Sequence, residues 1–457
     1  MSPVIVNSGG YRSGMDRNAT VGSEKIRALF DDGSFVEVGA YVKGTDGGEY
    51  DGVLCGYGSV GGKLAFAFSQ DMDRTKGAFD ASGAKKIRML YEMAMKNGAP
   101  VIGIFDSEGA VIREGAPALS AYGTWMRVVS EASGVLPQIA VITGVCAGSA
   151  AVIASMFDVV LAAGENASLY VTASSVVGKQ GTGVNSAAEK GLVSVVCDGE
   201  ADAFARVRTL MDLLPQNNCD KATVDAPEIG AVAADTVLPE GILDGAAFVE
   251  LSADFGKDVR TGFGRVGGVP VGVVRATGAL TADGARKAAH LVEFCDSFGM
   301  AVVTLVDSDG LAIRTDDEAQ SDISSYGRLA TAYASATCPK VTVVTGHAYG
   351  AAYILLGSKA LGADMTYALP QAVISTMAPE RAVAFLWNDR VSAEVSRESL
   401  EKEWTETMAS PEAAAAGGDI DDIIPPEQLR MRVCSALYML AAKTDDRPTR
   451  RHTVAPL

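Results

Sequence analysis

Two stretches of the chain show the same order of amphipathic and apolar segments. Residues 82–98 have the pattern of a helix that ends at Asn-Gly, and the apolar run 101–105 follows at once. Residues 283–299 and 301–306 repeat that order in the second half of the chain. A helical pattern that stops at glycine before a short apolar run predicts a helix followed by a buried strand.

The repetition extends to the segments on either side. Residues 56–62 and 262–268 both read Gly-aromatic-Gly-x-Val-Gly-Gly before an apolar run, which predicts a β-hairpin in each half. Residues 106–109 and 307–310 both read Asp-Ser-x-Gly after the buried strand. Helices and strands that alternate at this spacing are typical of β-α units with parallel strands. The sequence therefore predicts a duplicated α/β architecture, with the join between about Pro239 and Arg260.

Each half then continues through a helix and a further strand. Tyr122-Gly123 and Tyr326-Gly327 are each expected to lead a helix. The apolar runs 137–143 and 339–345 predict strands that end in a Thr-Gly-x-x-x-Gly turn, after which an apolar helix starts.

Residues 135–164 form the most apolar region. A membrane span is one interpretation, but Pro137, Gly144, Gly148 and Asp158 interrupt the segment and small residues dominate it. These interruptions favour a buried strand followed by a buried helix.

Composition narrows the possible functions. The 457 residues are 48% hydrophobic with 50 glycines, which is typical of a compact α/β protein of two domains. The formal charge of -17 disfavours nucleic-acid binding and suits a cytoplasmic protein. The seven cysteines lie singly, which disfavours a disulfide framework or a cysteine metal site, and we expect no metal. With three histidines, His290, His347 and His452, catalysis by several imidazoles is excluded.

The two Thr-Gly-x-x-x-Gly turns are the places where chemistry is expected. The first amides of a helix have no intrahelical acceptor, and glycine or alanine lets a ligand oxygen approach them. Two such amides can form an oxyanion hole, in which one donor stabilises a transition state by about 3–4 kcal/mol. The alternative is that small residues only allow the helix to pack tightly on the sheet, and for one turn alone this is the favoured interpretation.

Other side chains are weaker candidates. Ser149 in Ala-Gly-Ser-Ala resembles the nucleophile of self-compartmentalising serine peptidases, but such a serine needs a base and no histidine precedes residue 280. His347 is either a ligand-binding or a packed histidine. Asp106 and Asp307 are expected to hold the turns that follow them rather than to act as acid or base. Three charged residues could contact an anionic ligand, although exposure to solvent is the default expectation for them: Arg113, Glu114 and Lys179.

At these residues the chain resembles the carboxyltransferase subunits of biotin-dependent acyl-CoA carboxylases and decarboxylases, in the crotonase superfamily. The likeness runs from about Ser23 to Leu457, through many short segments in the same order. The matching segments are residues 29–35, 68–71, 96–102, 133–139, 146–148, 294–298, 337–342, 348–353, 358–364, 420–424 and 450–452.

The resemblance implies two tandem crotonase-like (ββα spiral) domains related by internal duplication. Residues 1–245 would form the acyl-CoA side and residues 246–457 the biotin side. The amides of Gly148 and Ser149 would hold the enolate oxygen of the thioester, and those of Gly350 and Ala351 the ureido oxygen of biotin. The implied substrate-binding residues are Ser107, Gly109, Ala110, Ala147, Tyr353 and Ile354, and the implied biotin-side residues are Tyr349 and Gly310.

The resemblance also implies partners. The chain has no Met-Lys-Met attachment motif, so biotin would arrive on a separate carrier protein, and acyl-CoA is the expected substrate. A homo-oligomer, from dimer to hexamer, is expected, together with a biotin carboxylase or with membrane decarboxylase subunits.

Several positions depart from the family pattern. Glu108 and Asp309 replace residues of the glycine-rich substrate loops, Ser149 replaces a glycine, and the stretch 181–189 is shortened. A catalytically inactive structural or regulatory paralogue, and a decarboxylase subunit of a sodium pump, therefore remain as alternatives.

Overall fold

The structure, a computed structural model, describes residues 20–45, 51–172, 183–225, 239–245, 248–312, 323–445 and 454. The chain divides into two compact units, Met1–Lys221 and Ala222–Leu457. This division lies earlier in the chain than the boundary expected at residue 245, which stays a prediction.

The first unit is built on one mixed sheet, which has eight strands among the described residues, in the order β1-β2-β3-β4-β5-β6-β8 with β7 paired to β5. The β1–β2 and β2–β3 pairs are antiparallel and the other pairs are parallel. The strands are β1 (Val36–Val38), β2 (Val53–Val60), β3 (Lys63–Gln70), β4 (Val101–Ser107), β5 (Gln138–Ala147), β6 (Val159–Ala163), β7 (Ser168–Tyr170) and β8 (Val195–Cys197). The helices are α1 (Val21–Leu29), α2 (Ala81–Asn97), α3 (Ala116–Ala132), α4 (Ser149–Ala154), α5 (Val184–Glu189) and α6 (Glu200–Leu213).

The second unit repeats the sheet strand for strand, in the order β9-β10-β11-β12-β13-β14-β16 with β15 paired to β13. Its strands are β9 (Val249–Leu251), β10 (Val259–Val266), β11 (Val269–Leu280), β12 (Ala301–Leu311), β13 (Lys340–Tyr349), β14 (Met365–Ala368), β15 (Val373–Ser375) and β16 (Asp422–Ile423). Its helices are α7 (Pro239–Ile242), α8 (Ala282–Ser297), α9 (Ile323–Ser335), α10 (Gly350–Leu355), α11 (Pro379–Leu386), α12 (Arg397–Met408), α13 (Pro411–Gly417) and α14 (Leu429–Leu440). The internal duplication is confirmed at the level of topology.

The local signals that the sequence repeats produce the same structures in both units. The carboxylate of Asp80 accepts from the Gly83 amide at 2.7 Å and begins α2, and Thr281 begins α8 in the same way. Gly98 ends α2 in the left-handed conformation, with φ of 61°. These capped ends confirm both predicted helices to within one or two residues.

Three predicted boundaries are wrong. Tyr122 does not lead a helix, because α3 begins at Ala116 with a proline in its first turn and Tyr122 lies inside it. The strands predicted to end at residues 143 and 345 continue to Ala147 and Tyr349. The apolar region 135–164 folds into β5, α4 and β6, which confirms a buried strand followed by a helix.

An aromatic cluster fixes α3 against the first sheet. The ring of Trp125 stacks on Phe105 of β4 at 5.6 Å between centroids, and its edge meets Phe68 of β3 at 5.2 Å. Such pairs stabilise a fold by about 0.5–1.5 kcal/mol each beyond the burial of their area. The cluster therefore holds in place the strand β4 whose carboxyl end carries Ser107.

Candidate active site

The two strand-to-helix turns have the same backbone geometry. Gly148 connects β5 to α4 with φ of 62°, and Gly350 opens α10 with φ of 58°. Both values lie in the left-handed region, which glycine adopts without strain. A Cβ atom on Gly350 would also lie 3.1 Å from the carbonyl oxygen of Thr376. Glycine is thus required at both turns for conformational reasons, whatever binds in front of them.

Paired aspartates hold these turns from the neighbouring strands. A Cβ atom on Gly144 would lie 2.2 Å from Asp106 Oδ1, and one on Gly346 would lie 2.3 Å from Asp307 Oδ1. Asp106 accepts from the buried Lys25 ammonium at 2.7 Å, and Asp307 accepts from the His347 amide at 2.8 Å. These contacts are with a helix and a neighbouring strand rather than with the turns that follow the aspartates, so the turn-holding role expected from the sequence is not confirmed.

The amides of the first turn are not equivalent. The Gly148 N–H donates to the Tyr170 carbonyl at 2.9 Å, because β7 pairs with the end of β5 and extends its ladder to this residue. Ser149 is the first residue of α4, and its N–H donates to no acceptor among the described residues. The structure thus leaves Ser149, but not Gly148, with an amide for a ligand.

The predicted substrate residues of the first unit meet at the carboxyl ends of β4 and β5. Ser107 lies opposite Cys146 in the parallel ladder, which brings it next to Ala147. The Ser107 hydroxyl accepts from the Gly109 amide at 3.1 Å, and Ala110 forms a bridge with Phe79. Ser107, Gly109 and Ala110, which end or follow β4, are therefore brought to the same edge of the sheet as Ala147, the last residue of β5.

The charged candidates of this unit have structural partners. Glu108, a departure from the family pattern, forms an exposed ion pair with Lys76 at 3.3 Å. The Glu114 carboxylate accepts from the Ala81 amide at 3.1 Å and so supports the start of α2. Arg113 is exposed to solvent, which is the default expectation for it. Lys179 and residues 181–182 lie outside the described residues, whereas the rest of the shortened stretch, 183–189, contains α5.

A cavity of about 750 Å³ lies in front of the second turn. It is lined by four of the predicted residues, Gly310, Tyr349, Gly350 and Ala351. Gly350 and Ala351 are the first two residues of α10, so their N–H groups have no acceptor within that helix. The head of α10 therefore borders a space large enough for a small molecule.

Tyr353 and Ile354, predicted on the substrate side, do not line this cavity. They lie further along α10, where Ile354 is half exposed. Burial raises the pKa of the Tyr353 phenol to about 12, and its hydroxyl has no hydrogen-bond partner among the described residues.

Sequence reasoning missed a histidine–carboxylate pair at the cavity. His347 Nδ1 lies 2.7 Å from Asp309 Oδ1, and both residues line the cavity. The imidazole is half exposed and stacks on the Tyr349 ring, with 5.0 Å between centroids and an angle of 15°. The duplication is the signal that could have predicted this pair, because it implies that β12 and β13 are adjacent. Ser308 and Ala348 pair across these two strands as Ser107 and Cys146 pair across β4 and β5.

The cavity is electrostatically mixed. Asp309 and Glu380 are its acidic lining residues, and His347 and Arg381 its basic ones. Burial raises the pKa of the Tyr349 phenol to about 12, and the carboxylates of Glu380, Asp309 and Asp307 raise it further in the same direction. Tyr349 is thus a neutral hydrogen-bonding group at neutral pH.

The described residues contain no group of three or more potential metal ligands. None of the helices described is both long and apolar enough to cross a membrane.

Comparison with known proteins places the chain in a family. The carboxyl transferase domain family matches residues 14–455. The propionyl-CoA carboxylase beta chain of Cereibacter sphaeroides is 36% identical, over 96% of this chain and 94% of its own length. The methylmalonyl-CoA decarboxylase subunit alpha of Veillonella parvula is 32% identical, over 99% of this chain and 97% of its own.

A solved structure agrees with these relatives. The transcarboxylase 12S hexamer, with methylmalonyl-coenzyme A and methylmalonic acid bound, superimposes with a TM-score of 0.89. It is 32% identical in sequence, and the match covers 95% of this chain and 92% of that one. The protein therefore belongs to the carboxyl transferase family, as the sequence predicted, and is a carboxyltransferase of the biotin-dependent acyl-CoA type.

Proposed function

We propose that this protein moves a carboxyl group between carboxybiotin on a carrier protein and the α-carbon of a small acyl-CoA. Propionyl-CoA with its product methylmalonyl-CoA is the proposed pair, because the relatives and the solved structure are named for these compounds. Acetyl-CoA is the next candidate. Residues 1–245 take the acyl-CoA side and residues 246–457 the biotin side.

The cavity before α10 supports the biotin side of this proposal. Its volume lies within the range of small-molecule sites, roughly 300–1,000 Å³. The Gly350 and Ala351 amides that border it can donate to one oxygen, such as the ureido oxygen of biotin. This pair of amides at the start of a helix, at the edge of a cavity, is the observation that carries the proposal.

The reaction suits a site built from backbone donors. Carboxybiotin supplies carbon dioxide and, once that is lost, a ureido group basic enough to take the α-proton of the acyl-CoA. The chain itself then needs no side-chain base, in agreement with the absence of histidine from the first half. Its amides stabilise the negative charge that develops on oxygen, at about 3–4 kcal/mol for one donor.

On the acyl-CoA side we assign the thioester oxygen to the Ser149 amide. The Gly148 amide, expected to share this role, is already used by Tyr170. Ala150, the second residue of α4, is the nearest other amide without an intrahelical acceptor. Ser107, Gly109, Ala110 and Ala147 are the proposed neighbours of the acyl chain, while Tyr353 and Ile354 would serve the acyl pocket of an adjacent subunit.

We further propose a cytoplasmic homo-oligomer, from dimer to hexamer, that works with a biotin carboxyl carrier protein. The hexamer assembly of the matching structure supports the upper limit. A biotin carboxylase would be the third component in a carboxylase. Membrane subunits would replace it in a decarboxylase, which the likeness to methylmalonyl-CoA decarboxylase supports. Co-purification from the native cell, followed by identification of the bound chains, distinguishes the two.

Decarboxylation driven by free biotin tests the enzyme assignment. The purified protein is incubated with methylmalonyl-CoA, and the appearance of propionyl-CoA is followed with and without biotin. We expect product formation that depends on biotin concentration. Absence of product with methylmalonyl-CoA, malonyl-CoA and glutaconyl-CoA, together with no CoA binding by calorimetry, would favour the inactive paralogue instead.

A further inference from the structure

The His347–Asp309 pair lies in the same cavity as the two amides but has no role in the mechanism given above. Its members come from adjacent strands, Asp309 from β12 and His347 from β13. The contact of 2.7 Å is that of a charge-assisted hydrogen bond from His347 Nδ1 to the carboxylate. Both side chains are about half exposed, at 50% and 57%, so the pair is open to a ligand and is not a core contact.

Three contacts fix the imidazole from different sides. Asp309 accepts a hydrogen bond from its Nδ1, the Tyr349 ring stacks against its face, and Asp307 accepts from the backbone amide of the same residue. The other ring nitrogen, Nε2, has no hydrogen-bond partner in the described portion of the chain. A histidine whose Nδ1–H is held by a carboxylate presents Nε2 in a defined direction.

The charges of the cavity lining suggest what a positively charged group at His347 could bind. Biotin has an uncharged ureido ring, whereas carboxybiotin carries one negative charge on that ring. The carboxylates of Asp309 and Glu380 would repel this charge, and His347 and Arg381 are the basic residues that line the cavity. His347 is separated by two residues from Gly350, one of the amides assigned to the ureido oxygen.

We propose that His347, oriented by Asp309, binds the carboxylate of carboxybiotin and so distinguishes carboxylated from uncarboxylated biotin. This inference rests on the proposed biotin site of the second unit. No proton leaves His347 in this role: the imidazolium holds the carboxylate, and Asp309 is a positioning residue that acts through it. The interaction disappears when the carboxyl group departs as neutral carbon dioxide, so the contact affects binding of the donor more than the chemical step.

Binding of two stable probes to the intact protein tests this assignment. The neutral probe is biotin amide, and the anionic probe is biotin amide with a carboxymethyl group on N1′, which places a carboxylate near the position of the transferred group. Dissociation constants are measured by titration calorimetry. We expect His347→Ala to weaken binding of the anionic probe by about tenfold to a hundredfold and of the neutral probe by less than about twofold.

Four further variants separate the possible causes. His347→Lys should keep most of the preference for the anionic probe, because it restores a cation, and Asp309→Asn should lose part of it. His290→Ala, on the exposed face of α8 and outside the cavity lining, is the matched control and should change neither constant. Arg381→Ala should affect the anionic probe less than His347→Ala. Equal weakening of both probes by His347→Ala, or a loss confined to Arg381→Ala, would overturn the assignment.

The same experiment separates failure of this inference from failure of the proposed function. If the wild type binds neither probe and forms no propionyl-CoA, the biotin site itself is wrong. If it binds biotin amide and is active, but His347→Ala keeps the wild-type ratio of the two constants, only the role of His347 is refuted.

Discussion

Replacing Ser149 with proline removes a single N–H from the head of α4. Ser149 is the first residue of that helix, where the fixed φ of proline is suitable and the N–H has no intrahelical acceptor. Gly148, the preceding residue, has ψ of -130°, outside the α region that a following proline disfavours. We therefore expect Ser149→Pro to fold with a melting temperature close to that of the wild type.

The catalytic loss should be large because the preceding amide, that of Gly148, cannot take over. The Gly148 amide already donates to the Tyr170 carbonyl at 2.9 Å, so it is not available for the thioester oxygen. Losing one oxyanion donor costs about 3–4 kcal/mol in the transition state, which corresponds to a fall in kcat of roughly 10²- to 10³-fold. Ser149→Ala keeps the N–H and removes only the hydroxyl, so it should stay within about threefold of the wild type.

The assay is the biotin-dependent conversion of methylmalonyl-CoA to propionyl-CoA, with kcat and KM measured separately and folding checked by thermal melting. The expected fall lies in kcat, since the oxyanion develops only during reaction. An unchanged kcat in a folded Ser149→Pro protein would refute the amide mechanism for the first unit. An equal loss in Ser149→Ala would instead indicate that the serine hydroxyl takes part in the chemistry.

Two further predictions concern buried charges in the first unit. Burial raises the pKa of the Asp158 carboxyl from 3.8 to about 7, although the Gln138 N–H that it accepts opposes this shift. The folded state therefore binds more protons than the unfolded state, and stability falls as pH rises from about 4 to about 7. The Asp158→Asn protein should melt at a higher temperature than the wild type at about pH 8, and this difference should be much smaller at about pH 5. An equal difference in melting temperature at the two pH values would contradict the argument. Lys86→Met should lower the free energy of unfolding by about 3–5 kcal/mol, because it leaves the fully buried Asp51 without its cation at 3.1 Å. Lys76→Ala, which opens the exposed pair with Glu108, should cost less than about 1 kcal/mol in urea denaturation, and similar losses for both would refute the argument from burial.

The fold could be predicted where short-range signals agree with each other. Asp80 and Thr281 as caps, and Gly98 as a helix end, specify their structures within a few residues of sequence. Because the chain is duplicated, the same signal occurs in both halves and supports each element twice. The start of α3 has a signal too, a proline immediately after Ala116, whereas the tyrosine shared by both halves lies inside the helix and does not mark its start.

The errors arise from contacts that are distant in sequence. The sequence predicts that a strand ends at Gly144, whereas β5 continues through this residue. Glycine fits there because it has no side chain in the space that Asp106 occupies. The Gly148 amide could not be assigned to Tyr170 from sequence, since nothing local predicts that β7 pairs with β5. In the same way, the His347–Asp309 pair depends on the adjacency of β12 and β13.

Transfer of an isotopically labelled carboxyl group tests the central claim most directly. Methylmalonyl-CoA labelled in its free carboxyl is incubated with the protein and biotin amide, and the N1′-carboxyl product is trapped as its methyl ester. The account predicts label on biotin amide in proportion to the propionyl-CoA formed, and loss of that label in an Ala351→Pro protein that still folds. Label released only as carbon dioxide, at a rate independent of biotin and unchanged in Ala351→Pro, would contradict it.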